Sequence, residues 1–259
     1  MNYFVNLGMM KKIILSLSVV FFLLCCKKPG SVNFTAASGG AVIEPVMQET
    51  NPQEQSDTVG VKTYLALGDS YTFGESVTEN QRLPVQVSSQ LNGLGIRVSA
   101  PEIIARSGWT TGDLLDKLNT EPPLLTNYNI VTLLIGVNNQ YRGRKVEEYI
   151  PGFESLLKQA IQFAGNDTGH IIVLSIPDWG VTPFAEGRDR KQIAREIDQF
   201  NSANETIAKK YNVHYINVTE STREAVSDKS LLASDGLHPS AKEYGRWAKK
   251  VAAFIQEKL

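Results

Sequence analysis

In the stretch at residues 64–70, YLALGDS, an apolar run stops abruptly at a Gly/Asp/Ser turn. Such a run predicts a buried parallel β-strand. A serine just past the carboxyl end of that strand would stand at the edge where open α/β sheets bind their ligands. Ser70 is therefore a candidate nucleophile, although the same residues also suit an ordinary strand-to-loop turn.

From residue 62 onward, strand-like and helix-like patterns alternate. The other predicted strands cover 96–105, 129–135, 170–176 and 213–218, and the predicted helices cover 83–91, 111–118, 151–164, 192–211 and 240–258. Five strands alternating with helices predict an α/β fold, a doubly wound parallel sheet with helices on both faces and right-handed crossovers. Residues 62–259 are expected to form one domain of this class.

The N-terminal segment has a different character. Residues 9–24 join a short basic start to an apolar run that ends at Cys25 and Cys26, the only two cysteines of the chain. This pattern predicts a secretory signal peptide over residues 1–26, with a buried core helix or a transmembrane anchor as the alternative. The LLCC ending resembles a bacterial lipobox, which implies lipidation of Cys26, or of Cys25, and a place in the bacterial cell envelope.

Between this segment and the domain, residues 27–61 are rich in Ser, Thr, Gly, Pro, Gln and Glu and show no sustained hydrophobic period. Such a composition predicts a disordered tether. Together with a lipid anchor, the tether would hold the domain away from a membrane surface.

Composition also excludes several classes of function. The net charge of -1 gives no electrostatic reason to expect a nucleic-acid partner. The domain has neither a cluster of residues with metal-ligand spacing nor a glycine-rich phosphate loop. We therefore expect no metal and no cofactor.

Polar residues follow the predicted strands at positions that can meet. Ser70 follows the first strand, Gly108 lies in the loop after the second, and Asn138 follows the third. Asp235 and His238 lie in the segment DGLHP near the C-terminus. Because the loops after parallel strands emerge at one edge of the sheet, these residues can converge although they are far apart in the sequence.

The order of these motifs, Gly-Asp-Ser, a lone Gly, Gly-x-Asn and Asp-x-x-His, resembles the four signature blocks of the SGNH (GDSL-type) hydrolase superfamily. The resemblance covers residues 62–259 and implies the flavodoxin-like fold of that superfamily. Two positions depart from the family pattern. Tyr71 stands where the family name has leucine, and Asn139 stands where the family usually has aspartate.

These residue types fit acyl transfer. A serine hydroxyl needs a base, which the neutral imidazole of His238 can supply, and a carboxylate such as Asp235 can fix the imidazole tautomer. Negative charge that develops on the substrate oxygen needs donors. The backbone N–H groups of Ser70 and Gly108 and the side-chain amide of Asn138 are the candidates, and the resemblance implies the same roles.

Each residue also has a plainer interpretation. His238 alone would suit a solvated loop, Asn138 could cap the following helix, and Asp69 is expected to tie its turn together. Four aromatic residues lie in loops at the same edge and suit either packing or an acyl or aryl pocket. They are Trp109, Tyr141, Trp179 and Phe184.

The sequence therefore predicts an exported, lipid-anchored serine hydrolase that cleaves carboxylic esters or thioesters through an acyl-enzyme. Its partners would be a small-molecule, lipid or glycan ester and, through the lipid anchor, a membrane. One alternative is a carbohydrate O-deacetylase that acts on cell-envelope or environmental glycans. The other is a surface lipoprotein that keeps the fold and binds a ligand without turnover, and Asn139 is its only support.

Overall fold

A computed structural model describes residues 60–258 of the chain. The predicted signal peptide, both cysteines and all but the end of the predicted tether lie outside these described residues. None of the helices within residues 60–258 is long and apolar enough to cross a bilayer.

The described domain is built on one sheet of five parallel strands in the order β2-β1-β3-β4-β5. The strands are β1 (Tyr64–Gly68), β2 (Glu102–Ala105), β3 (Ile130–Leu134), β4 (Ile171–Leu174) and β5 (His214–Ile216). Every residue of β1, β3 and β4 is buried, as expected for strands that are covered on both faces. The predicted doubly wound α/β fold is confirmed.

Helices connect the strands and cover the sheet. They are α1 (Ser70–Phe73), α2 (Leu83–Gly93), α3 (Thr111–Thr120), α4 (Val137–Tyr141), α5 (Val146–Phe163), α6 (Arg190–Lys210), α7 (Thr219–Arg223) and α8 (Ala241–Lys258). Helix α2 packs against α8, and α5 contacts both α3 and α6. With right-handed crossovers, this strand order places these two groups on opposite faces of the sheet.

The closing helix α8 illustrates why these elements form. Its apolar residues recur at helical spacing, and Tyr244, Trp247, Val251 and Ile255 are all buried against the sheet and α2. The apolar stripe of this helix is therefore the surface that it packs.

One helix begins earlier than its sequence pattern predicts. Pro151 suits a first helical turn, but α5 starts at Val146 and carries Pro151 in its interior. Glu147 and Glu148 occupy the first turn instead, where the positive end of the helix dipole favours acidic side chains. Burial of Phe153 and its neighbours on the same face outweighs the missing N–H of proline.

The strand order creates a crevice at the carboxyl edge of the sheet. From β1 the chain moves outward to β2 and then crosses back to β3 on the other side of β1. The loops after β1 and β3 therefore run in opposite directions, and the gap between them is where doubly wound folds bind ligands. Ser70 follows β1 and Asn138 follows β3.

Candidate active site

The turn after β1 holds Ser70 at the start of α1. Only glycine fits at position 68, because a Cβ there would collide with the side chain of Thr72 and the carbonyl oxygen of Leu134. The Asp69 carboxylate accepts a hydrogen bond from the backbone N–H of Tyr71 at 3.1 Å and so caps α1. Asp69 thus ties the turn together, and complete burial raises its pKa to about 7.

Three of the predicted residues form a hydrogen-bonded chain. Nε2 of His238 lies 3.0 Å from Oγ of Ser70, and Nδ1 of His238 lies 2.6 Å from Oδ2 of Asp235. The ring of Tyr71 packs edge-on against the imidazole, with 5.5 Å between ring centroids. Ser70 is only 6% exposed, and its hydroxyl lies within hydrogen-bonding distance of the imidazole.

The carboxylate of Asp235 is bound at both oxygens. Oδ1 accepts the backbone N–H groups of Leu237 and His238 at 2.9 and 3.0 Å, and Oδ2 accepts the hydroxyl of Ser76 at 2.7 Å in addition to His238. Partial burial disfavours the charge, but these hydrogen bonds outweigh it and lower the pKa of Asp235 to about 2. Asp235 is therefore ionised throughout the neutral range.

Asp235 and His238 lie together on a closed surface loop. The N–H of Ala233 donates to the carbonyl of His238 at 2.8 Å and closes the loop. Phe184 N–H donates to the carbonyl of Gly236 at 3.3 Å, which joins this loop to the long connection after β4.

Gly108 lies in a loop that is tied down on both sides. Its φ of +82° suits glycine, and a Cβ there would meet no atom within 4 Å, so its open side faces the pocket. Arg142 donates from Nη2 to the Gly108 carbonyl at 2.7 Å, and the hydroxyl of Ser107 donates to the carboxylate of Glu75.

Asn138 lies inside α4 and does not cap it, because Gly136 is the N-cap residue. Its Nδ2 donates to the carbonyl oxygen of Trp109 at 2.9 Å. An amide NH₂ carries two hydrogens, so the second remains available to an acceptor in the pocket that Asn138 lines. One side chain thus contacts the Gly108 loop and the pocket together.

Asn139, the residue that departs from the family pattern, holds the start of α3. Its Oδ1 accepts the backbone N–H of Thr111 and its Nδ2 donates to the Thr111 hydroxyl, each at 3.0 Å. The side chain is buried and faces away from the pocket lining. The departure therefore changes a support for α3 and leaves Asn138 in place.

A pocket of about 200 Å³ opens above Ser70 and His238. Three of the four predicted aromatic residues line it, namely Tyr141, Trp179 and Phe184. Trp109 does not, because its side chain packs against the hydrophobic core.

The three pocket aromatics form a continuous surface, here called the aromatic wall (Tyr141, Trp179 and Phe184). Their ring centroids lie 5.3 to 6.1 Å apart. The guanidinium of Arg188 sits over Tyr141 and Trp179, and Trp179 donates to Gln140 at 2.7 Å. Trp179 is buried, whereas Tyr141 and Phe184 are 42% and 44% exposed and form the rim.

Sequence reasoning missed four site residues, of which two lie in or beside the motifs and two do not. Tyr71 is adjacent to the candidate nucleophile, and Leu237 lies inside the Asp-x-x-His motif, so their positions in the motifs could have indicated that both line the pocket. Glu75 and Ser76 belong to no motif, and only the fold brings them to the site. Within residues 60–258, no group of three or more His, Cys, Asp or Glu side chains is arranged to hold a metal ion.

Comparison with solved structures shows the same fold. The chain is similar to a lipase/acylhydrolase from Enterococcus faecalis, with 22% identity, a TM-score of 0.58, and coverage of 77% of this chain and 97% of that one. It is similar to the acetylxylan esterase Axe2 from Geobacillus stearothermophilus, with 21% identity, a TM-score of 0.58, and coverage of 76% and 95%. It is also similar to the esterase EstA from Pseudoalteromonas sp., with 18% identity, a TM-score of 0.57, and coverage of 76% of this chain and 97% of that one.

No curated protein matches the sequence. The family model described as the GDSL-like Lipase/Acylhydrolase family matches residues 66–246, which include the last three residues of β1, the other four strands and all three residues of the hydrogen-bonded chain. The resemblance predicted from the four motifs is thereby confirmed, and this chain belongs to the GDSL-like lipase/acylhydrolase family of serine esterase-type hydrolases.

Proposed function

We propose that this protein hydrolyses carboxylic esters or thioesters through an acyl-enzyme on Ser70, with His238 as the general base and Asp235 as its partner. The observation that carries the proposal is the continuous chain from Ser70 Oγ to His238 Nε2 at 3.0 Å and from His238 Nδ1 to Asp235 Oδ2 at 2.6 Å. Ser70 and His238 lie at the floor of an open pocket that a substrate can enter.

In the first step, Ser70 Oγ attacks the ester carbonyl carbon while His238 Nε2 takes the hydroxyl proton. Asp235 accepts the Nδ1 hydrogen, which keeps Nε2 free to act as a base, and its negative charge stabilises the imidazolium. Because its pKa is low, Asp235 carries that charge at any pH at which the imidazole can act.

The carbonyl oxygen becomes an oxyanion during this attack. The backbone N–H groups of Ser70 and Gly108 and the second N–H of Asn138 supply donors for it. The imidazolium then protonates the leaving alkoxide or thiolate, and the C–O or C–S bond breaks. Water then attacks the acyl carbon while His238 takes its proton, and His238 gives that proton to Ser70 Oγ as the bond from Oγ to the acyl carbon breaks and the acid leaves.

The pocket favours a short acyl group. At about 200 Å³ it is smaller than the roughly 300–1,000 Å³ of sites that enclose a drug-sized ligand. The buried ring of Trp179 forms the inner wall of the pocket. The half-exposed rings of Tyr141 and Phe184 lie at its rim, where they can contact the alcohol part of the substrate.

A carbohydrate O-deacetylase is the second candidate, and the small pocket with its exposed aromatic rim favours it. An acetyl group fits a small pocket, and exposed aromatic faces at the rim suit contact with a sugar ring. One similar structure is that of an acetylxylan esterase. The non-catalytic alternative rested on Asn139 alone. Because Asn139 supports Thr111 and does not displace Asn138, it gives no reason to expect a loss of activity.

Labelling of the full-length protein with a fluorophosphonate tests the nucleophile. We expect one labelled serine, Ser70, and no labelling or turnover in a folded Ser70→Ala variant. Ser89→Ala, at an exposed position on α2, serves as the control and should label normally. Turnover by Ser70→Ala, or labelling at another serine, would refute the proposal.

A substrate panel distinguishes the two candidates. We expect kcat/KM for p-nitrophenyl esters to fall as the acyl chain lengthens from acetate to octanoate. If acetylated oligosaccharides then give a higher kcat/KM than p-nitrophenyl acetate, the protein is a carbohydrate deacetylase. A preference for octanoate would contradict the short-acyl argument.

We further propose that the protein is exported and anchored in the bacterial cell envelope through a lipidated Cys26, or Cys25, with residues 27–61 as the tether. The support is the signal-peptide and lipobox-like pattern of the N-terminus. Mass spectrometry of the natively expressed protein should find a lipidated N-terminal cysteine in the membrane fraction. A soluble protein with an unmodified N-terminal segment would refute this.

A further inference from the structure

The turn that follows the nucleophile helix is bonded back to the nucleophile itself. Gly74 ends α1 in the left-handed conformation, and its N–H donates to the carbonyl of Ser70 at 2.9 Å. The N–H of Glu75 donates to the same carbonyl at 3.1 Å. The position of residues 74–76 is therefore fixed relative to Ser70.

From this turn, Ser76 reaches the far end of the hydrogen-bonded chain. Its hydroxyl donates to Oδ2 of Asp235 at 2.7 Å, the oxygen that also faces Nδ1 of His238. Both backbone donors to Asp235 bind the other oxygen. In the described structure, Ser76 is thus the group besides His238 that holds Oδ2.

Ser76 occupies a backbone conformation that disfavours it. Its φ is +63°, in the left-handed region that glycine and asparagine adopt with less strain. Glycine would satisfy the backbone at this exposed position, but it would bring no hydroxyl to Asp235. A side chain retained in a strained conformation is expected where the side chain serves a function.

Glu75, the neighbour of Ser76, contacts the opposite side of the site. Its carboxylate accepts the hydroxyl of Ser107, and Ser107 precedes Gly108 in the loop that lines the pocket. Two consecutive side chains thus connect the turn after the nucleophile to the Asp235 loop and to the Gly108 loop.

We propose that Ser76 is a positioning residue for Asp235, and that Glu75 positions the Gly108 loop from the same turn. The Asp235 side chain is 29% exposed, so without Ser76 water would compete for Oδ2 and the carboxylate could rotate away from Nδ1. The inference rests on the proposed function, since it assigns Ser76 a role in that same reaction.

Ser76→Gly is the decisive variant, because it removes the hydroxyl and relieves the backbone strain together. We expect a melting temperature no lower than that of the wild type. The kcat for p-nitrophenyl acetate should fall about 3- to 10-fold with KM within twofold, as expected for the loss of one neutral hydrogen bond. Ser76→Asn keeps a donor and tolerates positive φ, so it should recover most of the lost kcat.

Asn212→Gly provides the matched control. Asn212 also has a positive φ, of 52°, but it follows α6, outside the pocket lining and the hydrogen-bonded chain. Its replacement gives the same gain in backbone freedom and should leave kcat unchanged.

The contact of Glu75 is tested by a double-mutant cycle. Glu75→Ala and Ser107→Ala should each lower kcat with little change in KM. The double variant should be no slower than the slower single variant, because both remove the same contact. Additive losses would overturn the role of Glu75.

A folded Ser76→Gly variant with wild-type kcat would overturn the role of Ser76, and so would Ser76→Asn as slow as Ser76→Gly. Ser70→Ala separates this failure from that of the proposed function. If Ser70→Ala is inactive and Ser76→Gly is fully active, only the positioning role fails. If Ser70→Ala retains turnover, the proposed function fails first.

Discussion

Replacement of Asn138 by alanine separates support of the pocket from stabilisation of the transition state. The NH₂ group of Asn138 has two partners in the proposed reaction. One hydrogen is held by the Trp109 carbonyl at 2.9 Å, and the other is available to the substrate oxyanion. The Trp109 bond orients the amide before substrate arrives, which is the condition under which a donor stabilises a transition state most strongly.

The expected loss follows from these two partners. Removal of one oxyanion donor typically lowers kcat by about 10²–10³, or roughly 2.7–4 kcal/mol. Loss of the bond to Trp109 costs stability on the order of 1 kcal/mol. Asn138→Ala should therefore lower kcat by about 10²–10³ with KM nearly unchanged. Asn138→Asp should be at least as harmful, because a carboxylate repels the oxyanion.

Steady-state kinetics on p-nitrophenyl acetate, with circular dichroism to confirm folding, measures this loss. Arg142→Ala is the matched control, since Arg142 holds the adjacent Gly108 carbonyl at 2.7 Å and donates nothing to substrate. It should lower kcat less than tenfold, about the worth of one hydrogen bond. If Asn138→Ala is no slower than Arg142→Ala, or if it raises KM alone, Asn138 supports the loop and the oxyanion assignment is wrong.

Three further predictions follow from the site. Asn139→Asp keeps an acceptor for the Thr111 N–H and should leave kcat within about threefold in the same assay; a 100-fold loss would contradict its supporting role. The raised pKa of Asp69, about 7, means that the folded state binds this proton more tightly than the unfolded chain does. The bound proton therefore adds its full share to the free energy of unfolding below about pH 4, and this share, on the order of 4 kcal/mol, is lost as the pH rises to about 7. Asp69→Asn should abolish this pH-dependent fall in the free energy of unfolding. Urea denaturation between pH 4 and 8 measures this fall, and an unchanged profile would refute it. Phe184→Ala removes a half-exposed ring from the pocket rim and should raise KM for p-nitrophenyl acetate about 3- to 10-fold with kcat retained; an unchanged KM would exclude Phe184 from substrate binding.

The sheet and the convergence of the motifs could be predicted because both depend on local patterns. Buried parallel strands are continuous apolar runs, so β1 and β3 could be located almost to the residue. Once the strands are parallel, the loops after them must share one edge. That rule brings His238 to Ser70 without any knowledge of side-chain geometry.

Contacts that depend on the three-dimensional path of the chain could not be predicted. Ser76 meets Asp235 because two loops approach each other, and no spacing in the sequence records this. Trp109 follows Gly108 directly, yet its ring turns into the core while its carbonyl faces Asn138. The early start of α5 shows the same limit, since packing of Phe153 overrides the local preference of Pro151.

The placement of the hydrogen-bonded chain on two very different elements has a consequence for how activity is lost on heating. Ser70 follows β1, which is bonded to strands on both sides and can exchange its amide hydrogens only when the sheet unfolds. His238 lies on a surface loop that is held by backbone bonds from Ala233 to His238 and from Ser240 to Leu231 and by the bond from Phe184 to Gly236. Such a loop opens at much lower free energy than the sheet. We therefore expect the base to leave the nucleophile reversibly at temperatures where the strands remain fully protected, so that activity disappears before the fold does.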